Sequence, residues 1–558
     1  MLRFVRISAL VLLPGLAVCG PAVAQSRDQA LNPVHARYPA PRIDDDDAAD
    51  ALPPTEDLAS AIAEAYASNP SLAASRYDLR ATDDNLGLAL SRTRTTVQLQ
   101  AAAGYDYIDP GAITQAGRPV VDRLNSPDIR RNDVTTQLAV DQPLWTGGRA
   151  RADVHAARAE SAAGRETLRG IEGDLVVNLI AAYADVRRDG QALRIRERNV
   201  RLLKATLDEV VARREAGELT RTDIAQAEAQ LKSAEVQRTA AEAQLEASRS
   251  SFAAIVGRAP GRLAPEPPLP LLPASIEDAL AAAARANPDL AAAIATERAS
   301  RARIAGARAE ANPTINLRGT AGTNGPVSPL DGRDQDFSLG ARVTLTLPLV
   351  NGGRVQALTA QAQNRNTADF LRIEATRRQV TDAVLGAWNA WASASRNIAA
   401  QGAQLQAARI YYEGTFEEYR EGLRSTFDVL FAQNQLRETE IALITSRRDA
   451  YVAQAALLRR IGQLDVARLL RGTDLYDPAA YARKVEARGA LPWDPVFRTF
   501  DDISHAGDRP QRIERIRPAP AIPGVAPATP GPGPDITPAT SEAKLPRETR
   551  SPAGGRRP

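Results

Sequence analysis

The chain has 558 residues, with 70 basic and 67 acidic side chains and a net charge of +3. The last fifty residues, 509–558, contain nine basic and four acidic residues. The +5 of that stretch leaves −2 for the rest of the chain, which argues against a nucleic-acid partner. Aromatic residues make up only 4% of the chain, which favours helices packed through small side chains over one large globular core.

The N-terminus has the pattern of a secretory signal. Arg3 and Arg6 precede an apolar stretch, and an Ala-x-Ala cleavage sequence ends at Ala24, so residues 1–24 are predicted to be a signal peptide. Cys19, the only cysteine, could instead be a lipidation site. No later segment reaches the ~18 consecutive apolar residues that a membrane-spanning helix needs. An exported protein of this kind can enter a membrane only as a β-barrel, which indicates the outer membrane of a Gram-negative bacterium.

The sequence contains an internal duplication. Trp-Thr-Gly-Gly-Arg at 145–149 recurs as Val-Asn-Gly-Gly-Arg at 350–354, an offset of 205 positions. The same offset relates three further pairs: Gly217 and Gly422, Asp223 and Asp428, and Gly257 and Gly462. An offset that holds over this distance predicts two copies of one elongated structural unit.

The duplication and the local composition predict the domain boundaries. The leader contains four consecutive aspartates, which fit a solvated run better than a cation site. The C-terminal extension has twelve prolines in its last fifty residues and is predicted to be mostly disordered, and extended from Ala482 onward. The predicted segments are 25–54 for the leader, 55–260 for the first repeat, 261–275 for a linker, 276–465 for the second repeat and 466–558 for the extension.

Each repeat is predicted to contain two short helices and one long helical hairpin. Asn69-Pro70 and Asn287-Pro288 each end one helix and begin the next, because Asn caps helices and Pro suits the first helical position. A proline-free interval then predicts a helix of about 100 Å over 150–216, a turn at Gly217 and a return helix over 222–256. Apolar residues at 4-3 spacing indicate coiled-coil packing. The second short helix and the return helix, stacked end to end, would match the long helix in height.

Two β-hairpins interrupt the helices. Four segments centred near Gln98, Gln137, Asn316 and Thr344 alternate apolar and polar residues. Strands of ~10 residues with one apolar and one polar face suit a lipid-facing barrel with a wet lumen, although a soluble hairpin on a core gives the same alternation. Four strands cannot close a barrel, so the chain must oligomerise. Two copies would give eight strands and three would give twelve, and the pattern does not choose between them.

The sequence offers no active site. The three histidines, His35, His155 and His505, are dispersed along the chain and cannot form a zinc cluster without cysteines. Gly147-Gly148 and Gly352-Gly353 follow strands and precede helices, and their duplication makes them strand-to-helix turns rather than phosphate-binding loops. No enzymatic activity, cofactor or metal is therefore predicted.

Charged residues cluster at the tips of the two long hairpins, near Gly217 and Gly422. One interpretation is that helix ends are simply solvated, with Thr222 and Asp223 acting as helix caps. The other is a ring of charges that pairs across neighbouring hairpins and holds one end of a tube shut.

In their order along both repeats, these motifs resemble the TolC family of outer-membrane channels over about residues 58–464. The resemblance rests on Asn-Pro-Ser-Leu at 69–72, Asn-Pro-Asp-Leu at 287–290, Gln-Pro-Leu-Trp at 142–145 and Asp-Val-Leu at 428–430. The segment Leu79–Asn85 resembles the corresponding segment in the branch of the family that serves type I secretion.

The resemblance implies a mixed α/β membrane protein. In this architecture long helical hairpins form a coiled-coil α-barrel, and two β-hairpins from each of three identical chains form a twelve-stranded transmembrane barrel in outer-membrane lipid. It also implies a closed periplasmic entrance that opens when a periplasmic adaptor and an inner-membrane ABC transporter or proton-driven pump engage it.

The resemblance also assigns roles to residues at the tips. In the family, a latch of hydrogen bonds between the inner hairpin and the other hairpin holds the entrance closed. The corresponding residues are Tyr419 and Arg424 in the inner hairpin, which would bond to Thr222 and Asp223 in the other. The first of the family's two constricting aspartates corresponds to Asp428.

The chain departs from the family pattern at two positions. The second constricting aspartate is replaced by Phe431, which argues against a double acidic ring and favours an apolar constriction. Thr95 stands where the family often has proline, which would soften that helix end.

The predicted function is a passive export channel, with type I protein secretion as the expected role. Multidrug or small-molecule efflux is the alternative within transport. A periplasmic coiled-coil scaffold without a barrel is the alternative from another class.

Overall fold

The computed structural model describes residues 56–108, 129–326, 335–470 and 475–494. The predicted signal peptide, the leader, Cys19 and the end of the C-terminal extension lie outside these residues. Each repeat contains four helices and two strands in the same order, with the β-hairpin between the short helices and the long hairpin.

The elements of the first repeat are α1 (Leu58–Ser68), α2 (Pro70–Ser91), β1 (Thr96–Ile108), β2 (Ile129–Trp145), α3 (Arg149–Glu215) and α4 (Arg221–Val256). Those of the second repeat are α5 (Ile276–Ala286), α6 (Pro288–Ala309), β3 (Thr314–Pro326), β4 (Asp336–Thr346), α7 (Arg354–Arg420) and α8 (Thr426–Arg460). The long helices α3 and α7 have 67 residues each.

The two Asn-Pro joints connect helices end to end. The Asn69 side-chain oxygen accepts hydrogen bonds from the first backbone N–H groups of α2, and its Nδ2 donates to the Ile255 carbonyl at the end of α4, at 3.0 Å. Asn287 caps α6 in the same way and donates to the Arg460 carbonyl of α8 at 2.8 Å. One amide side chain therefore begins one helix and satisfies the end of another, which confirms the predicted stacking.

The long helix α3 joins the two repeats. It packs against α2 and α4 of its own repeat and against α6 and α8 of the second, while α7 packs against α5, α6 and α8. The largest side chains of the core, including Tyr183, Phe252 and Leu457, are fully buried. The Tyr183 hydroxyl donates to the Ala264 carbonyl at 2.7 Å, which fixes the linker between the repeats on this core.

The four strands form one antiparallel sheet in the order β1-β2-β3-β4. Its register places apolar residues in rows on one face and polar residues in rows on the other. Leu99, Leu138, Ala321 and Leu339 form one cross-strand row, and Gln100, Gln137, Gly322 and Ser338 form the next row on the opposite face. The apolar face is uncovered in the protomer, with Leu99 70% and Leu339 79% exposed. The strands β1 and β4 lie at the two edges of this sheet.

The start of the C-terminal extension is folded, contrary to the prediction for residues 482–494. A short helix α9 (Val466–Leu469) precedes α10 (Ala480–Ala487), which packs on α2. We call residues 475–494 the strap. Val485 is buried against Gly87, where a β-carbon would approach it to 2.9 Å. Composition did not reveal this docking because it depends on a small residue in a distant helix.

Buried Arg94 anchors the strap. Its guanidinium donates to the Arg488 and Glu486 carbonyls and lies 3.6 Å from the Asp494 carboxylate. The Trp493 indole N–H donates to the Thr95 hydroxyl at 3.1 Å. The strap thus fastens the end of α2 at the position where the resembled family often has proline. Within the described ranges, no helix has the length and apolar character needed to cross a membrane.

Candidate entrance site at the hairpin tips

Glycines in left-handed conformations shape the turns of both long hairpins. Gly217 and Gly422 lie between the outgoing and return helices at φ +83° and +76°. The strand-to-helix turns carry the duplicated pairs, at φ between +57° and +89°: Gly147, Gly148, Gly352 and Gly353. A β-carbon is disfavoured in the left-handed region, so the backbone conformation of the turns accounts for these glycines.

Both return helices begin with a capping box. In α4 the Thr220 side chain accepts from the Asp223 N–H, and the Asp223 carboxylate accepts from the Thr220 N–H. Ser425 and Asp428 repeat this arrangement in α8. These bonds lower the pKa of both carboxyls, chiefly through the Thr220 N–H for Asp223 and the Ser425 hydroxyl for Asp428. Each carboxylate therefore satisfies the start of its own helix.

Arg424 is paired within its own hairpin. Its Nε donates to the Glu418 carboxylate at 2.7 Å, and both side chains are about half exposed. This carboxylate raises the pKa of the Arg424 guanidinium. An exposed pair of this kind adds little to stability and can exchange partners readily.

Tyr419 connects the two hairpins. The Arg213 guanidinium, at the end of α3, lies 4.9 Å from the centroid of its ring. The Tyr419 hydroxyl is buried and has no hydrogen-bond partner among the described residues. Burial raises its pKa, and the nearby Glu209 and Asp223 carboxylates act in the same direction. Within the protomer the hairpins therefore meet here through a cation–π contact.

The four residues assigned to the latch lie at these tips, but within the described protomer they form no hydrogen bonds with one another. Their observed partners are Thr220 for Asp223, Glu418 for Arg424 and Arg213 for Tyr419. Arg213 and Glu418 belong to the charged clusters near Gly217 and Gly422, and the sequence alone did not indicate their partners. The available sequence signal for the Arg424 pair was the Glu418 carboxylate six positions earlier.

A buried polar contact behind the tips was also missed. Gln433 of α8 donates to the Asn199 side chain of α3 at 2.9 Å, and both residues are almost fully buried. Leu430 packs one turn away against Leu203 and Leu231 of the first hairpin. Gln433 lies between Leu430 and Leu436 on the buried face of α8, and a polar residue there was the available sequence signal.

Phe431, the residue at the predicted constriction, is exposed. It is 54% exposed and stacks on Phe427, which is 55% exposed, with ring centroids 6.3 Å apart. Both rings lie away from Val429, Ala432 and Leu436, through which α8 packs on α7. The tip of the second hairpin therefore presents an aromatic pair that the described residues leave more than half exposed.

The described residues contain no group of three or more His, Cys, Asp or Glu side chains placed to hold a metal ion. A cavity of about 500 Å³ between α3, α7 and α8 is lined by apolar and polar side chains, including Arg187 and Arg448. Both are paired with carboxylates, Arg187 with Glu266 and Arg448 with Asp185.

A duplicated α-α-β-β-α-α chain, with a four-stranded sheet at one end of its long hairpins and polar tips at the other, defines the class of protein. The outer membrane efflux protein family matches residues 61–258 and 279–463. The chain belongs to this family of outer-membrane channels, which includes the TolC-like proteins. It is accordingly an outer-membrane protein and not an enzyme.

Individual relatives agree with this assignment. The chain is 30% identical over 436 residues to the outer membrane efflux protein BepC of Brucella suis, covering 77% of this chain and 91% of BepC. It is 26% identical to the alkaline protease secretion protein AprF of Pseudomonas aeruginosa, covering 54% of this chain and 64% of AprF. Its fold is similar to the Campylobacter jejuni CmeC outer membrane channel, with a TM-score of 0.64, 15% identity, and coverage of 77% and 89%.

Proposed function

We propose that three copies of this chain close into one passive export channel. The four-stranded sheets of the copies join edge to edge into a twelve-stranded barrel in the outer membrane, and the helical hairpins continue it as a tunnel into the periplasm. The channel performs no chemistry. Energy comes from an inner-membrane ABC transporter or proton-driven pump, which a periplasmic adaptor connects to the tips.

The sheet carries this proposal. Its apolar face is continuous across all four strands, and it is exposed on β4 at Phe337, Leu339 and Val343. Its outer strands leave unpaired backbone groups, which are costly in lipid unless a neighbouring copy pairs them. The opposite face carries Gln100, Ser338 and their polar neighbours toward the lumen. Eight strands would also satisfy the edges, and the TolC resemblance supports twelve.

For cargo, we propose protein secretion by a type I system. Two features support it: the similarity of Leu79–Asn85 to that branch, and the relative named for alkaline protease secretion. Small-molecule efflux is the second candidate, supported by the relative named as an efflux protein.

Fractionation and native mass spectrometry test the channel itself. The protein should remain in the outer membrane after carbonate washing, migrate differently on gels with and without heating, and have the mass of three chains. Release by carbonate as a monomer would instead support the periplasmic scaffold.

A deletion strain then tests the cargo. Loss of one or more proteins from the medium, without increased drug sensitivity, would support type I secretion. Drug sensitivity with an unchanged set of secreted proteins would support efflux and contradict secretion.

At the entrance, we propose that Arg424 and Tyr419 exchange their partners in the protomer for Thr222 and Asp223 across hairpins of the closed assembly. Each such hydrogen bond contributes about 0.5–1.5 kcal/mol, so adaptor contacts can displace them. Arg424→Ser combined with Tyr419→Phe should raise the resting conductance in planar bilayers. Arg420→Ser is the matched control, because Arg420 is also exposed and pairs with Glu417 within its helix. An unchanged conductance of the double variant would remove the latch assignment.

A further inference from the structure

We propose that the resting entrance is sealed by an apolar ring, in which Phe431 of each copy, backed by Phe427, meets its counterparts around the channel axis. This inference rests on the proposed three-copy channel and specifies what closes it. The seal excludes water and ions by hydrophobicity rather than by charge, as hydrophobic constrictions in channels do.

The first argument is the exposure of the aromatic pair. Phe427 and Phe431 are stacked, each more than half exposed, at the tip of α8. Covering apolar surface is favourable by about 25 cal/mol for each Å² removed from water. Two adjacent phenylalanine rings on a helix tip therefore favour an arrangement in which another apolar surface covers them.

The second argument is the internal duplication, which supplies a matched comparison. At the offset of 205, Phe427 corresponds to Thr222 and Phe431 to Gln226 of the first hairpin. That hairpin has the same turn and the same capping box, with polar residues at these two positions. The hairpin fold therefore does not require the aromatic pair, and its role lies outside the hairpin.

The third argument concerns the neighbouring charges. Arg424 is paired with Glu418, and the Asp428 carboxylate accepts hydrogen bonds from Ser425. The polar side chains flanking Phe431 are thus engaged within their own hairpin. Phe431, by contrast, contacts Phe427 and still leaves more than half of its side chain exposed among the described residues.

The occupant of this surface is the same residue from further copies of the chain. The sheet edges β1 and β4 require neighbouring copies, and the long helices run from that sheet to the tips. A ring closed through the sheet continues along the helices and places equivalent tip residues around one axis. Phe431 of one copy then meets Phe431 of the others.

The first experiment exchanges the aromatic pair for its counterparts from the first repeat. The double variant Phe427→Thr, Phe431→Gln should raise the resting conductance in planar bilayers severalfold. Val236→Thr, which changes an exposed apolar residue in the middle of α4, should leave it unchanged. If the wild-type protein forms channels and the double variant has the same resting conductance, the proposed seal is contradicted. If the wild-type protein forms no channels, the proposed function itself fails.

The second experiment reports proximity and does not depend on conductance. Cys19 is the only cysteine and lies in the predicted signal peptide, so Phe431→Cys introduces a single thiol into the mature chain. A short bismaleimide should link two chains on a denaturing gel. Oxidation alone is not the probe, because phenylalanine rings that meet tip to tip hold their β-carbons farther apart than the ~4.5 Å that a disulfide requires. Gln226→Cys, the matched position of the first repeat, should cross-link much less. A trimer whose Phe431→Cys variant does not cross-link would contradict the seal, and the absence of a trimer would contradict the channel.

Discussion

The two hairpin tips share a backbone design and differ in surface. Each has a left-handed glycine, a capping box with Asp at the third helical position, and a return helix of 36 or 35 residues. One tip continues with Thr222 and Gln226, and the other with Phe427 and Phe431. The duplication therefore retains what the helix ends need, because unsatisfied N–H groups are costly in any context. The outward face is free to differ, and there the two repeats present different side chains.

The same contrast recurs at the helix joints. Gly257 and Gly462 end the two return helices at φ +95° and +74°. A β-carbon at Gly257 would meet only the Ser68 hydroxyl, in ordinary van der Waals contact, whereas Gly462 lies directly against the backbone of Ala286. At the other end, Arg94 anchors the strap in the first repeat. In the second repeat, Asn312 lies just after the corresponding helix α6 and donates to the Gly147 carbonyl at 2.7 Å.

The largest expected effect comes from adding a methyl group at the two joint glycines. A β-carbon at Gly462 would overlap the Ala286 carbonyl oxygen, while at Gly257 the nearest atom is 3.8 Å away. Gly257→Ala should lower the free energy of unfolding by about 1–2 kcal/mol, the cost of a left-handed alanine. Gly462→Ala should lower it by about 3 kcal/mol or more, because backbone must also move. Denaturation of the detergent-solubilised protein, followed by circular dichroism, measures both, and equal losses would contradict the tight joint.

Releasing the strap should have the next largest effect. Arg94→Ala removes two charge-assisted hydrogen bonds to strap carbonyls, each worth about 1.5–3 kcal/mol when buried. Residues 475–494 should then become sensitive to limited proteolysis. Arg158→Ala is the control, because its pair with Glu486 is exposed and the strap should stay protected. Equal protection in Arg94→Ala and in the wild type would show that the anchor is dispensable.

The smallest effect, and the one that should be equal at both tips, is the response to pH. The folded-state pKa values of Asp223 and Asp428 lie below their ordinary value of 3.8. Their capping contribution is therefore complete above that value and is lost as the pH falls through the folded-state pKa. Hydrogen exchange of the first turns of α4 and α8, corrected for intrinsic rates, should rise together below about pH 4. Asp428→Asn should abolish the response in α8 alone, and a wild-type response confined to one tip would contradict the shared design.

Much of the fold was predictable because its signals are local. The Asn-Pro joints, the proline-free intervals and the alternating strands located the main elements to within a few residues, except for the second and third strands, which are longer than predicted. Helix caps and side-chain periodicity depend on neighbours in sequence, so they can be read without knowledge of the fold. The folded strap was missed because its docking depends on Arg94 and Gly87, almost four hundred residues away from it.

The candidate site was predictable in position and only partly in contacts. The tips are where the duplication and the TolC resemblance place them. Within one protomer, the partners of Asp223, Arg424 and Tyr419 are other residues than those that the resemblance assigned, and the assigned pairs remain a proposal for the assembly. A capping box satisfies a helix start from within three residues, whereas a contact across hairpins depends on the relative height of two 67-residue helices. The packing of all the helices together sets this relative height.

The sequence by itself determined the duplicated order of helices and strands, the turn and cap residues, and the two faces of each strand. Only the tertiary structure decided that these faces align in register across four strands, that α3 joins the repeats, and that Phe427 and Phe431 stay more than half exposed. The physical reason is range. Backbone conformation and capping are satisfied within a few residues, whereas register, helix height and the exposure of a ring depend on surfaces brought together from distant parts of the chain.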